Sequence, residues 1–325
     1  MWSSAVGGMV TLTLSRLAAP LVAEAPRADQ GPRIGVLTFI PTTKAFQEEF
    51  RQGLREHGDV EGQHSVVEGR SAAGSIARAP PLARELVRLK VGVIVAACTP
   101  AVHAAKNATQ TIPIVMAPAG DPVATGLVPR RARPGGNITG CSQRAAELSG
   151  QRLALLRALV PGLARIGLLI QGTDPWEKAL VEESQAAAAR VGLQLHVARV
   201  ARPEALEAAL AAITEERAGA VVVPGSLPVP VRQVAPLAGR SRFPSLSTLK
   251  DFADSGGLMS YGANLPESQR RAAGHVARIL KGAKAADLPG ERPTKFELII
   301  NLKTAQALGI TMPPSLLFQA DRVIQ

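Results

Sequence analysis

The chain has 325 residues, of which 46% are hydrophobic, 19% charged and 3% aromatic. Single hydrophobic cores stop growing near about 250–300 residues, so this length points to two domains, and the hydrophobic share excludes wholesale disorder. The formal net charge of +11 comes from 37 basic and 26 acidic side chains, but the basic ones are scattered and the densest run is Arg130-Arg131-Ala132-Arg133, so a solvated basic surface is expected.

At the start of the chain, residues 5–14 (AVGGMVTLTL) are apolar, and small residues follow up to Ala23-Glu24-Ala25. A run of about 10 residues cannot span a bilayer, which needs about 20. It resembles the apolar region and A-x-A site of a secretory signal, although no positive charge precedes it. Residues 1–25 are therefore expected to be a signal peptide. No later stretch is long enough to cross a membrane.

The strand candidate Arg33 to Phe39 (RIGVLTF) leads into a helix marked by Phe46, Phe50 and Leu54, which Gly58 stops. Ser65 to Glu68 is a second strand candidate, and Leu82, Leu86 and Leu89 mark a second helix. The continuous apolar run Val91 to Ala97 reads as a buried parallel strand, followed by a short helix over Ala101 to Ala108 and a strand over Ile112 to Met116.

The same order returns about 130 residues later, as expected of a βαβαβ unit used twice. Arg165 to Ile170 (RIGLLI) echoes Arg33 to Leu37, a helix from Pro175 to Val191 stops at Gly192, and Leu193 to Val200 is a strand. Leu206, Leu210 and Ile213 line the next helix, and Ala218 to Val223 echoes the strand around Gly92. The glycine-rich stretches Pro134 to Gly140 and Gly256 to Gly262 read as crossings between lobes. A helix over Pro266 to Lys281 and a strand over Lys295 to Asn301 close the pattern.

The expected fold is thus α/β, with two doubly wound parallel-sheet lobes joined by a three-strand hinge. Lobe one takes residues 31–139 plus 257–286 and lobe two residues 143–252 plus 293–325, with crossings near 134–142, 253–262 and 286–294.

In such sheets ligands bind beyond the carboxyl ends of the strands, beside helix N-termini. The candidate contacts in lobe one are Phe39, Thr42, Thr43, Thr99, Pro100 and Asp121. In lobe two they are Gln171, Trp176 and Ser226, with Tyr261 beside the second crossing. Thr42, Thr43 and Thr99 would equally serve as helix caps, and Asp121 as the start of a turn. Hydroxyls and free N–H groups suit a carboxylate, and the Asp121 carboxylate suits an ammonium group, so a zwitterion fits. Phe39, Trp176 and Tyr261 are scarce rings placed where they would stack on an apolar or aromatic solute.

From Arg33 onward the chain resembles the ABC-transporter substrate-binding proteins of the tryptophan/tyrosine-type family. The resemblance lies in RIGVLTF, QGLREHGDVEGQ, ELVRLKVGVIVAACTPA, IPIVMAPAGDPVATGLV, ARPGGNITG, GGLMSYGANLPE, ILKGAKAADLP and PTKFELIINLKTAQALGI, in that order. It implies a periplasmic-binding-protein type I fold and export to the periplasm. It also implies a monomer that closes over a small organic solute, an amino acid or aromatic compound, and delivers it to an ABC permease in the inner membrane. No Cys follows the apolar leader, which speaks against a lipid anchor. Cys98 and Cys141 depart from the family pattern; a disulfide between them would lock the hinge, and mostly buried free thiols are the alternative expected first.

The motifs of other chemistries are missing. No G-x-S-x-G, H-E-x-x-H, G-x-x-x-x-G-K-[ST] or G-x-G-x-x-G occurs, and the five histidines lack metal-ligand spacing. No cofactor, no metal and no nucleic-acid partner are expected. Two rival readings remain. One is an enzyme using Asp121 and Glu177 as cleft carboxylates. The other is a ligand-sensing regulator of the same fold, which would carry a DNA-binding helix-turn-helix of about 60 residues ahead of its first lobe, where this chain has a leader.

Overall fold

The computed structural model describes residues 31–40, 44–130, 135–143, 148–172 and 175–325. The first lobe is built from β1 (Arg33–Thr38), α1 (Lys44–Glu56), β2 (Val66–Ser71), α2 (Ala79–Arg88), β3 (Val93–Ala97), α3 (Thr99–Ala108), β4 (Ile114–Ala119) and β5 (Ile138–Ser142). Its sheet is wholly parallel in the order β2-β1-β3-β4-β5. The second lobe follows with α4 (Ser149–Leu159), β6 (Arg165–Ile170), α5 (Pro175–Arg190), β7 (Gln194–Arg199), α6 (Leu206–Glu215), β8 (Ala220–Val223), α7 (Val231–Arg240), β9 (Ser245–Ser247), α8 (Asp251–Asp254) and β10 (Met259–Ala263).

The chain then returns to the first lobe as α9 (Leu265–Leu280), which packs along α1 and over β4. It finishes in the second lobe with β11 (Phe296–Asn301), α10 (Leu302–Ala307), α11 (Pro314–Gln319) and β12 (Arg322–Ile324). The second sheet runs β12-β11-β10-β9-β8-β6-β7, parallel except where β10 and β11 pair antiparallel. Among the described residues no helix is long and apolar enough to cross a membrane.

Each sheet is buried on both faces, and strand alternation divides the core accordingly. In β3, Val93 and Val95 face Phe50, Leu54 and Val276 of α1 and α9, while Ile94 and Ala96 face Leu86 and Val102 of α2 and α3. In β8, Ala220 and Val222 join the Ile166, Leu168 and Leu180 cluster, while Val221 and Val223 join Leu210, Ile213 and Val234. This two-sided burial explains why these strands read as unbroken apolar runs.

Two expected crossings are instead strands. Residues 138–142 form β5, an edge strand of the first sheet, because Ile138, Thr139 and Gly140 pair with Ile114, Val115 and Met116. Residues 259–263 form β10 in the second sheet, so the return to the first lobe begins at Asn264 rather than at 257. The Asn264 side chain accepts the Glu267 N–H at 3.0 Å and caps α9 there. In both places glycine invites a loop reading, whereas backbone pairing with a neighbouring strand decides the outcome.

The third crossing runs beside β5. Glu291 N–H donates to Gly140 O at 2.8 Å, and Ser142 N–H donates to Glu291 O at 2.9 Å. The Glu291 side chain forms a clasp with α9: His275 Nε2 lies 3.1 Å from Oε1, and Arg271 Nε donates to Oε2 at 2.6 Å. Arg278 stands 3.6 Å away. The ligand atoms of Cys141, His275 and Glu291 lie within 4.8 Å of one another, as in a cation site. Two guanidiniums beside this carboxylate and burial that pushes the Cys141 thiol up to about 12 make the cluster an ion-pair clasp instead.

The clasp has a pH signature. Hydrogen bonding and charge from His275, with Arg271 adding to both, hold Glu291 down at about 2, against an ordinary 4.5. A depressed carboxylate stabilises the fold above its ordinary value, and that contribution disappears as the pH falls from about 4.5 to about 2. Solvent screening leaves about 2 kcal/mol of it. Glu291→Gln is expected to lower the melting temperature at pH 7 and to flatten its fall between pH 5 and pH 3 by a corresponding amount. Parallel melting curves for the two proteins over that acid range would remove the clasp as their cause.

Candidate functional site

The strand order reverses at β1/β3 in the first lobe and at β6/β8 in the second, and the carboxyl ends of both sheets open on one shared space. There a cavity of about 310 Å³ lies between the lobes, at the lower end of the usual range for small-molecule sites. From the first lobe come Thr38 at the end of β1 with Phe39 and Ile40 after it, Ala97 at the end of β3 with Cys98 and Thr99 after it, and Ala117 and Pro118 of β4 with Gly120 after it. From the second, Trp176 follows β6, Gly225 and Ser226 follow β8, and Thr248 to Asp251 follow β9. Gln143, at the first crossing, and Ala263, Leu265, Pro266 and Gln269, at the second, complete the lining.

The rings come from opposite lobes. Phe39 is 1% exposed and anchored in the core beneath the first sheet, and Trp176 is 5% exposed in the first turn of α5. Trp176 lies directly against Gly120 of the other lobe, whose missing side chain makes the approach possible: a Cβ there would stand 2.1 Å from Trp176 Cδ1. The lobes also meet where Gln171 Nε2 donates to Gly74 O at 3.3 Å.

The hydroxyls are held by their own lobes. Thr99 Oγ1 accepts the Gly120 N–H at 3.1 Å, and Thr248 Oγ1 accepts the Gly225 N–H at 2.9 Å. Each therefore keeps its own proton to donate, which suits a solute carboxylate reached from both sides. Ser226 has the opposite polarity: it donates to Glu177 Oε1 at 2.9 Å and keeps lone pairs to accept. Lys250 and Asp251 are exposed parts of the lining. Cys98 carries φ 73° and ψ 150°, backbone that strongly favours glycine, and this strain sits at the start of α3 where the chain turns onto the cavity.

Four of the sequence candidates do not line the cavity. Pro100 is buried in the first turn of α3, where a missing N–H costs nothing. Asp121 does not face an ammonium group in the cavity: its Oδ1 accepts the N–H groups of Val123 at 2.8 Å and Ala124 at 3.1 Å, starting a turn. Gln171 sits behind the lining, its amide turned toward Gly74. Tyr261 packs on Phe296 with ring centroids 6.4 Å apart, and its carbonyl accepts from Arg152 Nε at 3.1 Å. Thr42 and Thr43 lie outside the described residues. Phe39, Thr99, Trp176 and Ser226 do line it.

The carboxylate pair expected of an enzyme does not form. Glu177 is 3% exposed and saturated, accepting the Gln171 N–H at 2.7 Å and the Gly172 N–H at 2.6 Å besides Ser226. It clips the end of β6 to the start of α5 and so holds Trp176, its neighbour in sequence. Neither it nor Asp121 lies in the cavity lining to move a proton.

Sequence reading placed the stretch Thr248 to Asp251 at the cleft but missed Gln143 and Gln269. Gln269 had a signal: it opens the stripe that continues through Ala272, Ala273, Val276 and Ile279, and with Ser268 and His275 it is a polar side chain on the buried side of α9.

A conserved domain protein from Vibrio cholerae is 26% identical, with a TM-score of 0.84 over 90% of this chain and 99% of its own. The ABC domain from Streptococcus pneumonia, solved in complex with L-Trp, is 28% identical with a TM-score of 0.82, over 90% of this chain and 100% of its own. The tyrosine-binding protein of Clostridioides difficile is 24% identical over 285 residues, 85% of this chain and 81% of that protein. The two lobes, their sheets and the crossings between them have the type I periplasmic-binding-protein fold. The family model for ABC transporter substrate binding proteins matches residues 33–324, and this chain belongs to that family.

Proposed function

We propose that the solute is an aromatic amino acid, held between Phe39 and Trp176 with its carboxylate on the Thr99 and Thr248 hydroxyls. As a substrate-binding protein of an ABC transporter the chain works outside the cytoplasm and hands its solute to a permease. The observation that carries the finer reading is a cavity of about 310 Å³ with one ring and one proton-bearing hydroxyl from each lobe. The L-Trp complex of the Streptococcus pneumonia domain and the tyrosine-binding relative support the same class.

Only the closed arrangement brings both rings and both hydroxyls onto one molecule, so binding shifts the lobes toward closure and the permease reads that shape. A micromolar affinity needs about 8 kcal/mol, within reach of stacking plus a few hydrogen bonds. Periplasmic residence follows from the apolar leader with its A-x-A site.

The test is a thermal-shift screen with L-tryptophan, L-tyrosine, L-phenylalanine, L-leucine and L-glutamate, followed by titration of the Trp176 emission. The aromatic members are expected to raise the melting temperature and change the emission. A rise with leucine or glutamate alone would overturn the aromatic assignment.

A further inference from the structure

One residue of the cavity lining carries a buried polar atom without a partner among the described residues. Gln269 is 1% exposed and lies in the second turn of α9, just beyond the Asn264 cap. Its Nε2 donates to Ala117 O of β4 at 2.8 Å, which fixes which way the amide faces. Its Oε1 is buried and finds no hydrogen-bond partner among the described residues, and Gln269 is part of the cavity lining. A buried amide oxygen without a donor is costly, and natural proteins rarely leave one unless something else completes it. The hydroxyls described above each have a partner within the protein, Thr99 and Thr248 accepting from backbone N–H groups and Ser226 donating to Glu177, whereas Gln269 Oε1 has none among the described residues.

We infer that Gln269 is a specificity-determining residue whose Oε1 accepts a hydrogen bond from an N–H or O–H of the solute, so that the site selects molecules carrying that donor. The inference deepens the aromatic amino-acid reading and rests on it. In such a solute the donor is either the α-ammonium group or the polar hydrogen of the ring. A donor there restores the bond that the fold leaves open, whereas a solute lacking it buries Oε1 against carbon. Leu265 and Pro266, which share the lining, carry no side-chain donor.

Titration calorimetry with three probes separates the sources. These are L-tryptophan, indole-3-propionate, which lacks the ammonium, and L-benzothienylalanine, which lacks the ring N–H. The wild-type protein is expected to bind one of the two analogues about 10–100-fold more weakly than L-tryptophan. Gln269→Leu, or Gln269→Met if the leucine variant melts early, is expected to bring that analogue within about 3-fold of L-tryptophan, because the acceptor is gone. The analogue that recovers names the donor.

An unchanged preference in the variant overturns the role of Gln269 while leaving the aromatic reading in place. Equal wild-type binding of all three probes overturns it too, without any variant. Failure of the wild type to bind any of the three removes the aromatic reading and this inference with it.

Discussion

Gly120→Ala is expected to weaken solute binding by about 10–100-fold while leaving the melting temperature of the unliganded protein nearly unchanged. The new Cβ would stand 2.1 Å from Trp176 Cδ1, 2.7 Å from Cγ and 2.9 Å from Nε1. Those atoms lie near the base of a large ring that is 5% exposed and cannot swing away cheaply. Gly120 and Trp176 belong to different lobes, so the collision exists only when the lobes are together. Overpacking of this size costs about 1–3 kcal/mol, and here it falls on the closed state alone. The Gly120 N–H bond to Thr99 survives the change, so the first lobe itself is undisturbed. Calorimetric titration with L-tryptophan, paired with X-ray scattering of the free and loaded protein, checks it. Wild-type affinity in the variant would show that closure does not bring these two residues together.

Gly140→Ala should strongly destabilise the fold. Gly140 has φ 114°, outside the comfortable range of any L-residue, and a Cβ there would lie 2.4 Å from Met116 N and 2.5 Å from Met116 O. Its neighbour across β4 is backbone, which cannot rotate aside. Strain and collision together are worth about 3 kcal/mol or more, which for a protein of this size lowers the melting temperature by about 5 °C. The change also sits beside the Glu291 N–H bond to Gly140 O, so the third crossing loosens with it. Scanning calorimetry decides the matter, and a loss below about 1 kcal/mol would contradict the geometry.

The two-lobe plan was legible because both sheets are buried on both faces, which leaves unbroken apolar runs such as Val93–Ala97 at matching intervals. The repeat of RIGVL as RIGLL located the first strand of each lobe. Strands β5 and β10 were not legible, because their glycines look like loop residues and only long-range pairing makes them strands. Of the candidate site, Phe39, Thr99, Trp176 and Ser226 follow strand ends and line the cavity. Asp121 and Tyr261 lie outside the lining, Asp121 because its carboxylate starts a turn and Tyr261 because its ring packs on Phe296. Gln269 arrives from α9, an element that comes back to the first lobe only after the second is built. No rule about strand ends reaches it.

The wiring of the hydroxyls bears on how the solute leaves. Thr99 is tied to Gly120, Thr248 to Gly225 and Ser226 to Glu177, and every one of these ties stays inside a single lobe. Parting the lobes breaks the Gln171 link to Gly74 and the seat of Trp176 on Gly120, while the polar groups on each wall keep their aim. Unloading at the permease therefore needs no refolding of the walls, and an emptied molecule is ready for its next cargo as soon as it drifts free.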